Sequence, residues 1–338
     1  MIITQVPFRI SFFGGGTDFP AFYKEHGGSV ISSSIDKYCY LNVRHLPPFF
    51  EYTTSITYSM IERVHLEEEI QHPAIREAMK FLDMHDLSIT YDADLPARSG
   101  LGTSSSLAVA LLLSFYALKG KHVDKRRLAA EAIHLERVLC CESGGVQDQI
   151  AAAYGGLNRI DFTADGFEVN PIVISDSRKQ RLNQNLMMFF TGFSRFSSSI
   201  QVQHEKAIRT KQQELLELLS LVDDAERFLT LGDIDEFGVL LDYTWRLKRG
   251  LNAAVSTDTI DQLYKTAREA GALGGKLLGA GGGGFLLLYV REEEQEAVRR
   301  ALHGLKEIPF CFETGGARIL YYAAEDYTVR EKGMEGEG

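Results

Sequence analysis

The sequence predicts an α+β protein built as two domains. The chain has 338 residues, more than one ordinary core accommodates. Its first half reads as strands followed by helices. Its second half sets long helical patterns beside a few short apolar strands, which gathers helices on one side of an antiparallel sheet.

Each element has its own warrant. Ser29–Ile35 and Tyr38–Arg44 read as strands, Pro47-Pro48 as a loop, and Glu51–Tyr58 as a further β-branched and aromatic strand. Pro73–His85 has helical spacing, with Ile75, Met79 and Leu82 on one face. Leu87–Asp94 alternates, with Ile89, Tyr91 and Ala93 on one side. A Gly/Ser turn over Pro96–Ser106 runs into an apolar helix, Leu107–Leu118. A second helix, Arg126–Cys141, repeats Leu128, Ala132, Leu135 and Leu139; Ser143-Gly144-Gly145 breaks it before a third helix from Val146 to about Tyr154. The polar segment Ser175–Arg181 marks the boundary between domains at 1–180 and 181–330, and 331–338 is a charged, Gly-rich tail expected to fray. In the second half Leu186–Phe190 is a buried strand, followed by helices over Ser198–Leu219, Ile234–Gly250 and Thr259–Ala270. The glycine run Gly274–Gly284 then feeds a strand, Phe285–Val290, a helix to about Leu305 and a last strand, Arg318–Tyr322.

Composition excludes several classes. Apolar residues make up 45% and charged residues 24%, as in globular proteins generally. Acidic residues number 46 against 36 basic ones, a formal charge of −10, which disfavours nucleic acid and anionic membranes as partners. Four cysteines without a C-x-x-C pair, and nine histidines without H-E-x-x-H, suggest neither a disulfide scaffold nor a zinc site. Met1–Phe13 lacks a basic start and a long apolar stretch, so it does not read as a signal peptide. Reduced thiols and a cytoplasmic location are the expectation.

Three glycine-rich segments compete for a phosphate. Gly279, Gly281 and Gly284 form a G-x-G-x-x-G, but it follows a helix and opens a strand, the reverse of a dinucleotide-binding turn. Gly275-Lys276 is followed by Leu277 where a P-loop needs Ser or Thr. Pro96–Ser106 has the right order, strand then helix. Gly100 and Gly102 allow close backbone approach, the first-turn amides face an anion, and Thr103, Ser104 and Ser105 add hydroxyls. An ordinary Ser-rich helix start explains the same residues. Locally, Pro7–Asp18 is a strand and a turn, in which Arg9 needs an anion if buried. Asp18 fits a cap for a helix beginning at Phe19-Pro20.

Taken together, Pro7-Phe8-Arg9 with Gly14–Asp18, Pro96–Ser105 with its Gly100-Leu101-Gly102 core, and Gly274–Gly284 resemble, in order and spacing, the three motifs of the GHMP kinase superfamily. Ile35–Tyr38 and Gln147-Asp148-Gln149 make the chain similar to the D-glycero-D-manno-heptose 7-phosphate kinase branch in particular. The resemblance implies a ribosomal-protein-S5-like N-terminal domain, a ferredoxin-like C-terminal domain, and an active site in the cleft between them. It implies ATP and Mg²⁺ as cofactors, a sugar phosphate as partner, and transfer to its anomeric hydroxyl; fucokinase, galactokinase, mevalonate-type kinase or a silent sugar sensor are the alternatives. By the same resemblance Asp148 and Arg9 are catalytic. Pro96, Ser99, Gly100, Leu101, Gly102, Thr103, Ser104 and Ser105 bind the nucleotide. Ser104 and Glu136 hold the metal, and Gly15, Gly16, Thr17, Asp18, Gly281 and Gly282 meet the substrate. Galactokinases carry Glu-His where this chain has Gly15-Gly16, which points away from galactose. A distal phosphate needs a cation; Lys37, Arg44, Arg98, Arg195, Lys248 and Lys276 are the candidates.

Overall fold

The computed structural model describes residues 1–97, 99–192, 210–251, 255–279 and 281–323. Two sheets organise the chain. The larger has the order β12-β1-β2-β5-β3-β4, with β6 added on β2 and β7 on β6. Its strands are β1 (Ile2–Phe13), β2 (Gly28–His45), β3 (Thr54–Thr57), β4 (Ile61–Val64), β5 (Leu87–Ala93), β6 (Leu157–Thr163), β7 (Gly166–Pro171) and β12 (Arg318–Tyr322). The smaller is β11-β8-β10-β9, built from β8 (Leu186–Gly192), β9 (Gly274–Leu277), β10 (Gly284–Tyr289) and β11 (Lys306–Glu307).

β2 is one long strand where the sequence reads two. Its first residues pair with β6 and its last with β5, so the sheet forks along it. Ile35-Asp36-Lys37 lies at the fork and continues the strand. Short helices α1 (Pro20–His26) and α2 (Pro73–Phe81) flank the sheet. α3 (Thr103–Leu118) is apolar all round and buried nearly all round, the behaviour expected of a central helix. α4 (Lys125–His134) and α5 (Gln147–Tyr154) complete this half.

Several boundaries differ from the sequence reading. α3 begins four residues early, because Gly102 takes the left-handed conformation at its cap and Thr103–Ser106 form the first turn. Ser and Thr are weak helix formers, so periodicity begins only at Leu107. The expected helix to Cys141 gives way after His134 to a wider π turn over Leu135–Leu139, where the Cys140 N–H donates to the Leu135 carbonyl. Glu51–Tyr58 shrinks to Thr54–Thr57, and the polar segment taken as the boundary is a helix, α6 (Asp176–Gln184), capped by Ser175. The helix expected over Ser198–Leu219 lies partly outside the described residues; α7 spans Gln212–Thr230.

The two halves share a core. α7, α8 (Ile234–Leu251) and β10 send Val222, Phe237 and Leu287 into the same apolar cluster as Phe12, Phe13 and Val30 of the larger sheet. Phe237 meets Phe12 and Phe13 edge to face, with ring centroids 5.4 and 4.9 Å apart. The other face of the smaller sheet packs Leu286 and Leu288 with Trp245 and with Ile260 and Tyr264 of α9 (Asp258–Glu269). Arg318–Tyr322, read from sequence as the end of the second half, pairs antiparallel with β1 instead. Among the described residues no helix is long and apolar enough to cross a membrane.

Where the halves meet, backbone rests on backbone. A methyl on Gly279 would lie 2.4 Å from Gly100 Cα, and one on Gly284 would lie 2.4 Å from the Ser99 carbonyl oxygen. Gly279 also has φ +82°, so a side chain there meets strain as well as a clash. Gly279→Ala should cost about 2–4 kcal/mol in urea unfolding. Gly250→Ala, with no atom within 4 Å of the new methyl, should be neutral or stabilising by up to about 1 kcal/mol.

Candidate active site

The cleft is built around Arg9. It lies on β1 and is only 5% exposed, so its charge needs partners. Its Nε donates to Asp148 Oδ1 at 2.7 Å and its Nη2 to Asp148 Oδ2 at 2.6 Å, a bidentate pair. Its Nη1 donates to the Gly100 carbonyl at 2.9 Å, and its backbone N–H to the Leu101 carbonyl. One side chain thus ties the first motif to the second and to α5. Asp148 sits in the first turn of α5, and 28% of its side chain stays open to the cleft.

The second motif presents a helix end. Gly102 caps α3 with no side-chain hydrogen bond; the Ser106 amide donates to its carbonyl, and the Ser104 and Ser105 amides are left available to an anion. A methyl on Gly102 would lie 3.5 Å from Asp148 Oδ2, so this helix end adjoins the Arg9–Asp148 pair. The individual residues divide. Ser104 is exposed, and Pro96, Gly100 and Gly102 are partly exposed. Leu101 and Thr103 are buried, and Leu101 anchors the turn in the core instead of facing a ligand. Ser99 is wholly buried with its carbonyl under Gly284, so its side chain does not reach the cleft face.

Glu136 stands beside this helix end because the π turn carries it there. Ser104 Oγ donates to its Oε1 at 2.7 Å, Ser105 Oγ to its Oε2 at 2.6 Å, and Gln149 Nε2 to Oε2 at 2.5 Å. Burial pushes its carboxyl up to about 7; the Ser105 and Ser104 hydroxyls oppose that shift and the Glu142 charge adds to it. It is therefore a buried acid held by neutral donors. Exposed Ser104 and Glu136 fit the sparse oxygen shell that Mg²⁺ accepts, since the ion keeps several waters and phosphate oxygens of its own. Among the described residues no group of three or more His, Cys, Asp or Glu side chains forms a separate metal cluster.

Asp18 is not a cap for α1, whose start at Pro20 has no side-chain cap. Its carboxylate turns the other way: it accepts from Gly16 N at 2.9 Å and from Gln147 N, the first residue of α5, at 3.3 Å. Burial raises its pKa; the Gly16 amide opposes that and the Asp148 charge adds to it. Thr17, expected at the substrate, is wholly buried. Its hydroxyl donates within the turn, at 2.8 Å to Gly14 O and 2.9 Å to Ser29 O, so it shapes the turn. Gly15 and Gly16 are partly open. Gly281 and Gly282 lie between Gly279 and Gly284, which press on Gly100 and Ser99 and put the run against the second motif; Gly282 N donates to Val255 O.

The candidate cations separate as well. Lys276, in β9, points inward and donates to the carbonyls of Ser11 at 2.7 Å and Phe12 at 2.9 Å; burial lowers its pKa well below the usual value. Lys37 pairs with Asp36 at 2.8 Å. Arg98 and Arg195 lie outside the described residues. Lys248, on α8, reaches the cleft: its Nζ donates to Gly279 O at 3.3 Å and feels the charges of Asp18, Arg9 and Asp148. Ser11 and Gln147 also come to the cleft, and sequence reasoning gave neither a role. The available signal for Ser11 was strand period: it follows Arg9 by two residues on the same face of β1.

The raised Glu136 acid has a testable sign. In the window from its ordinary value up to about 7 the unfolded chain has released its proton and the folded chain has not, so stability falls as pH rises through that window. Without metal, Glu136→Gln should gain on the wild type as pH rises from about 5 to 8, measured by thermal melts across that range. A constant difference would mean that Glu136 is not a buried acid.

Residues 65–156 match the family model of the GHMP kinases N terminal domain and residues 221–306 that of GHMP kinases C terminal, together more than half of the chain. A D-glycero-alpha-D-manno-heptose 7-phosphate kinase from Campylobacter jejuni is 27% identical over 296 residues, 83% of this chain and 86% of that protein. A bifunctional fucokinase/GDP-fucose pyrophosphorylase from Arabidopsis thaliana is 28% identical over 82% of this chain, which spans only 28% of that longer protein. A mevalonate kinase from Pyrococcus abyssi is 26% identical over 58% of this chain and 57% of its own length. Among solved structures, a D-glycero-D-manno-heptose 1-phosphate kinase from Bacteroides thetaiotaomicron superimposes with a TM-score of 0.79 at 24% identity, covering 96% of this chain and all of that one. Lactococcus lactis galactokinase gives 0.71 at 17%, covering 94% of each chain. At those identities the likeness speaks of the fold.

Proposed function

We propose, from the premise that this chain belongs to the GHMP kinase superfamily and is an ATP-dependent phosphotransferase to a hydroxyl acceptor, that its acceptor is the anomeric hydroxyl of D-glycero-D-manno-heptose 7-phosphate. The product is the 1,7-bisphosphate, a precursor of nucleotide-activated heptose for surface glycans. The observation that carries this reading is extent. The heptose 7-phosphate kinase match runs through both halves, whereas the mevalonate kinase match covers little more than half of the chain.

The residues divide the work by position. The uncapped end of α3 receives the phosphates of ATP, where backbone amides and helix dipole favour negative charge. Ser104 and Glu136 would hold Mg²⁺, which neutralises phosphate charge when bound. Asp148 accepts the proton of the acceptor hydroxyl. Arg9 fixes both Asp148 oxygens and places a positive charge where charge develops during transfer. Phosphoryl transfer asks for little more than such positioning and charge stabilisation.

Fucokinase is the second reading, supported by the Arabidopsis relative's match across both halves. A panel of heptose 7-phosphate, L-fucose, galactose and mevalonate with MgATP, read by ³¹P NMR of the product, decides between them. Turnover of L-fucose far above heptose 7-phosphate would replace the first reading with the second. Asp148→Asn should lower kcat by about 10²–10⁴-fold with ATP affinity retained. It should also destabilise the fold by about 1–3 kcal/mol, because Arg9 loses the charge of its partner. The helix dipole alone predicts only about 0.3–1 kcal/mol, so the larger loss reports the pair. Near-normal turnover of the Asn variant would remove Asp148 from the chemistry.

A further inference from the structure

The two oxygens of Glu136 are held unequally. Oε2 accepts twice, from Ser105 Oγ at 2.6 Å and from Gln149 Nε2 at 2.5 Å, and both donors are buried, at 5% and 4% exposed. Oε1 accepts from Ser104 Oγ at 2.7 Å, and Ser104 is exposed. The donors come from two helices, Ser104 and Ser105 from α3 and Gln149 from α5. The main chain is tied as well, because the Glu142 amide donates to the Glu136 carbonyl at 2.9 Å. One carboxylate oxygen is therefore fastened to the interior. The other lies beside a hydroxyl that donates to it and still has lone pairs to offer.

The identity of the inner donors has a physical reason. Neutral donors orient a carboxylate without cancelling its charge, whereas a Lys or Arg in their place would compete with a bound cation. Gln149 carries a penalty of its own: its Oε1 is buried with no hydrogen-bond partner. An apolar residue of similar shape would avoid that penalty, so the amide is explained by the N–H it gives to Glu136. We propose that Gln149 and Ser105 are positioning residues: by holding Oε2 they leave Oε1, together with Ser104 Oγ, as the face offered to the ion. Ser105 then serves the metal through Glu136 and is not itself a nucleotide ligand. Gln149 directly follows Asp148, so adjacent residues in the first turn of α5 present the proton acceptor and orient the metal carboxylate. This rests on Ser104 and Glu136 holding Mg²⁺, as proposed above.

The test separates the metal from the nucleotide. Affinity for a non-hydrolysable ATP analogue is measured by calorimetry with and without Mg²⁺, for wild type, Ser105→Ala, Gln149→Leu and Glu136→Gln. In the wild type Mg²⁺ should tighten analogue binding. Ser105→Ala and Gln149→Leu should each cut that gain about tenfold or abolish it. Their metal-free affinity should stay within about twofold of wild type. A merely structural role would weaken binding in both conditions alike. Ser105→Ala removes a single oxygen and covers the case in which Gln149→Leu folds poorly. A gain that survives in both variants while Glu136→Gln loses it overturns the proposal and leaves the metal reading standing. If Glu136→Gln keeps the full gain, or the wild type shows none, the metal reading fails and the proposal with it. A fall in metal-free affinity in Ser105→Ala would return Ser105 to the nucleotide and overturn the role given to it here.

Discussion

The buried guanidinium of Arg9 constrains the rest of the cleft. A cation so little exposed is tolerated only when its donors are met. Two of them are met by Asp148 and one by the Gly100 carbonyl. Those partners belong to a helix start and to a glycine turn that are distant in sequence, so the requirement to satisfy one charge fixes three segments relative to one another. The Arg9 amide adds a fourth tie, to Leu101, whose side chain is locked in the core. The turn that leads into α3 is thereby held by packing on one side and charge on the other, which is the pre-organisation that charge-stabilising catalysis needs.

The second half does not merely cover this arrangement. Gly279 and Gly284 bring its backbone directly onto Ser99 and Gly100, and Lys276 binds the carbonyls at the end of β1. Phe237 fills the space beside Phe12 and Phe13. Close backbone contact leaves little freedom for sliding, because interiors at that density are not continuously deformable. The third glycine run, then, acts through contact with the second motif, and its glycines are there to admit the other chain segment.

Legibility followed the locality of the signal. The order strand, glycines, helix across Gly100–Ser105 was readable because it is contiguous, although the helix start itself was read four residues late. Asp148 in a first helical turn was readable for the same reason. The placement of Glu136 was not: a π turn has no compositional mark, and apolar periodicity runs on past it through Leu139. Thr17 entered as a substrate group through the resemblance of its motif, but the tight turn draws its hydroxyl inward. Asp18 had the local pattern of a cap, yet it caps a helix more than a hundred residues away. Strand register and β12's return to β1 were likewise invisible, since pairing partners are set by tertiary contacts.

The two sides of the cleft differ in how they are made, and this bears on how function diverges on one frame. At the start of α3 the available groups are backbone amides, reached through glycines whose lack of a side chain the close backbone packing requires. On the other side of Asp148, side chains from β1, α5 and α8 meet near Gly15. Relatives named for a heptose phosphate, fucose or mevalonate are 26–28% identical to this chain, which fits a shared frame with an exchangeable acceptor wall. The constraint on that wall is Arg9: residues facing Asp148 can vary only as far as they leave its pair with Arg9 intact, because a bare guanidinium in the core would cost more than any gain in acceptor binding is worth.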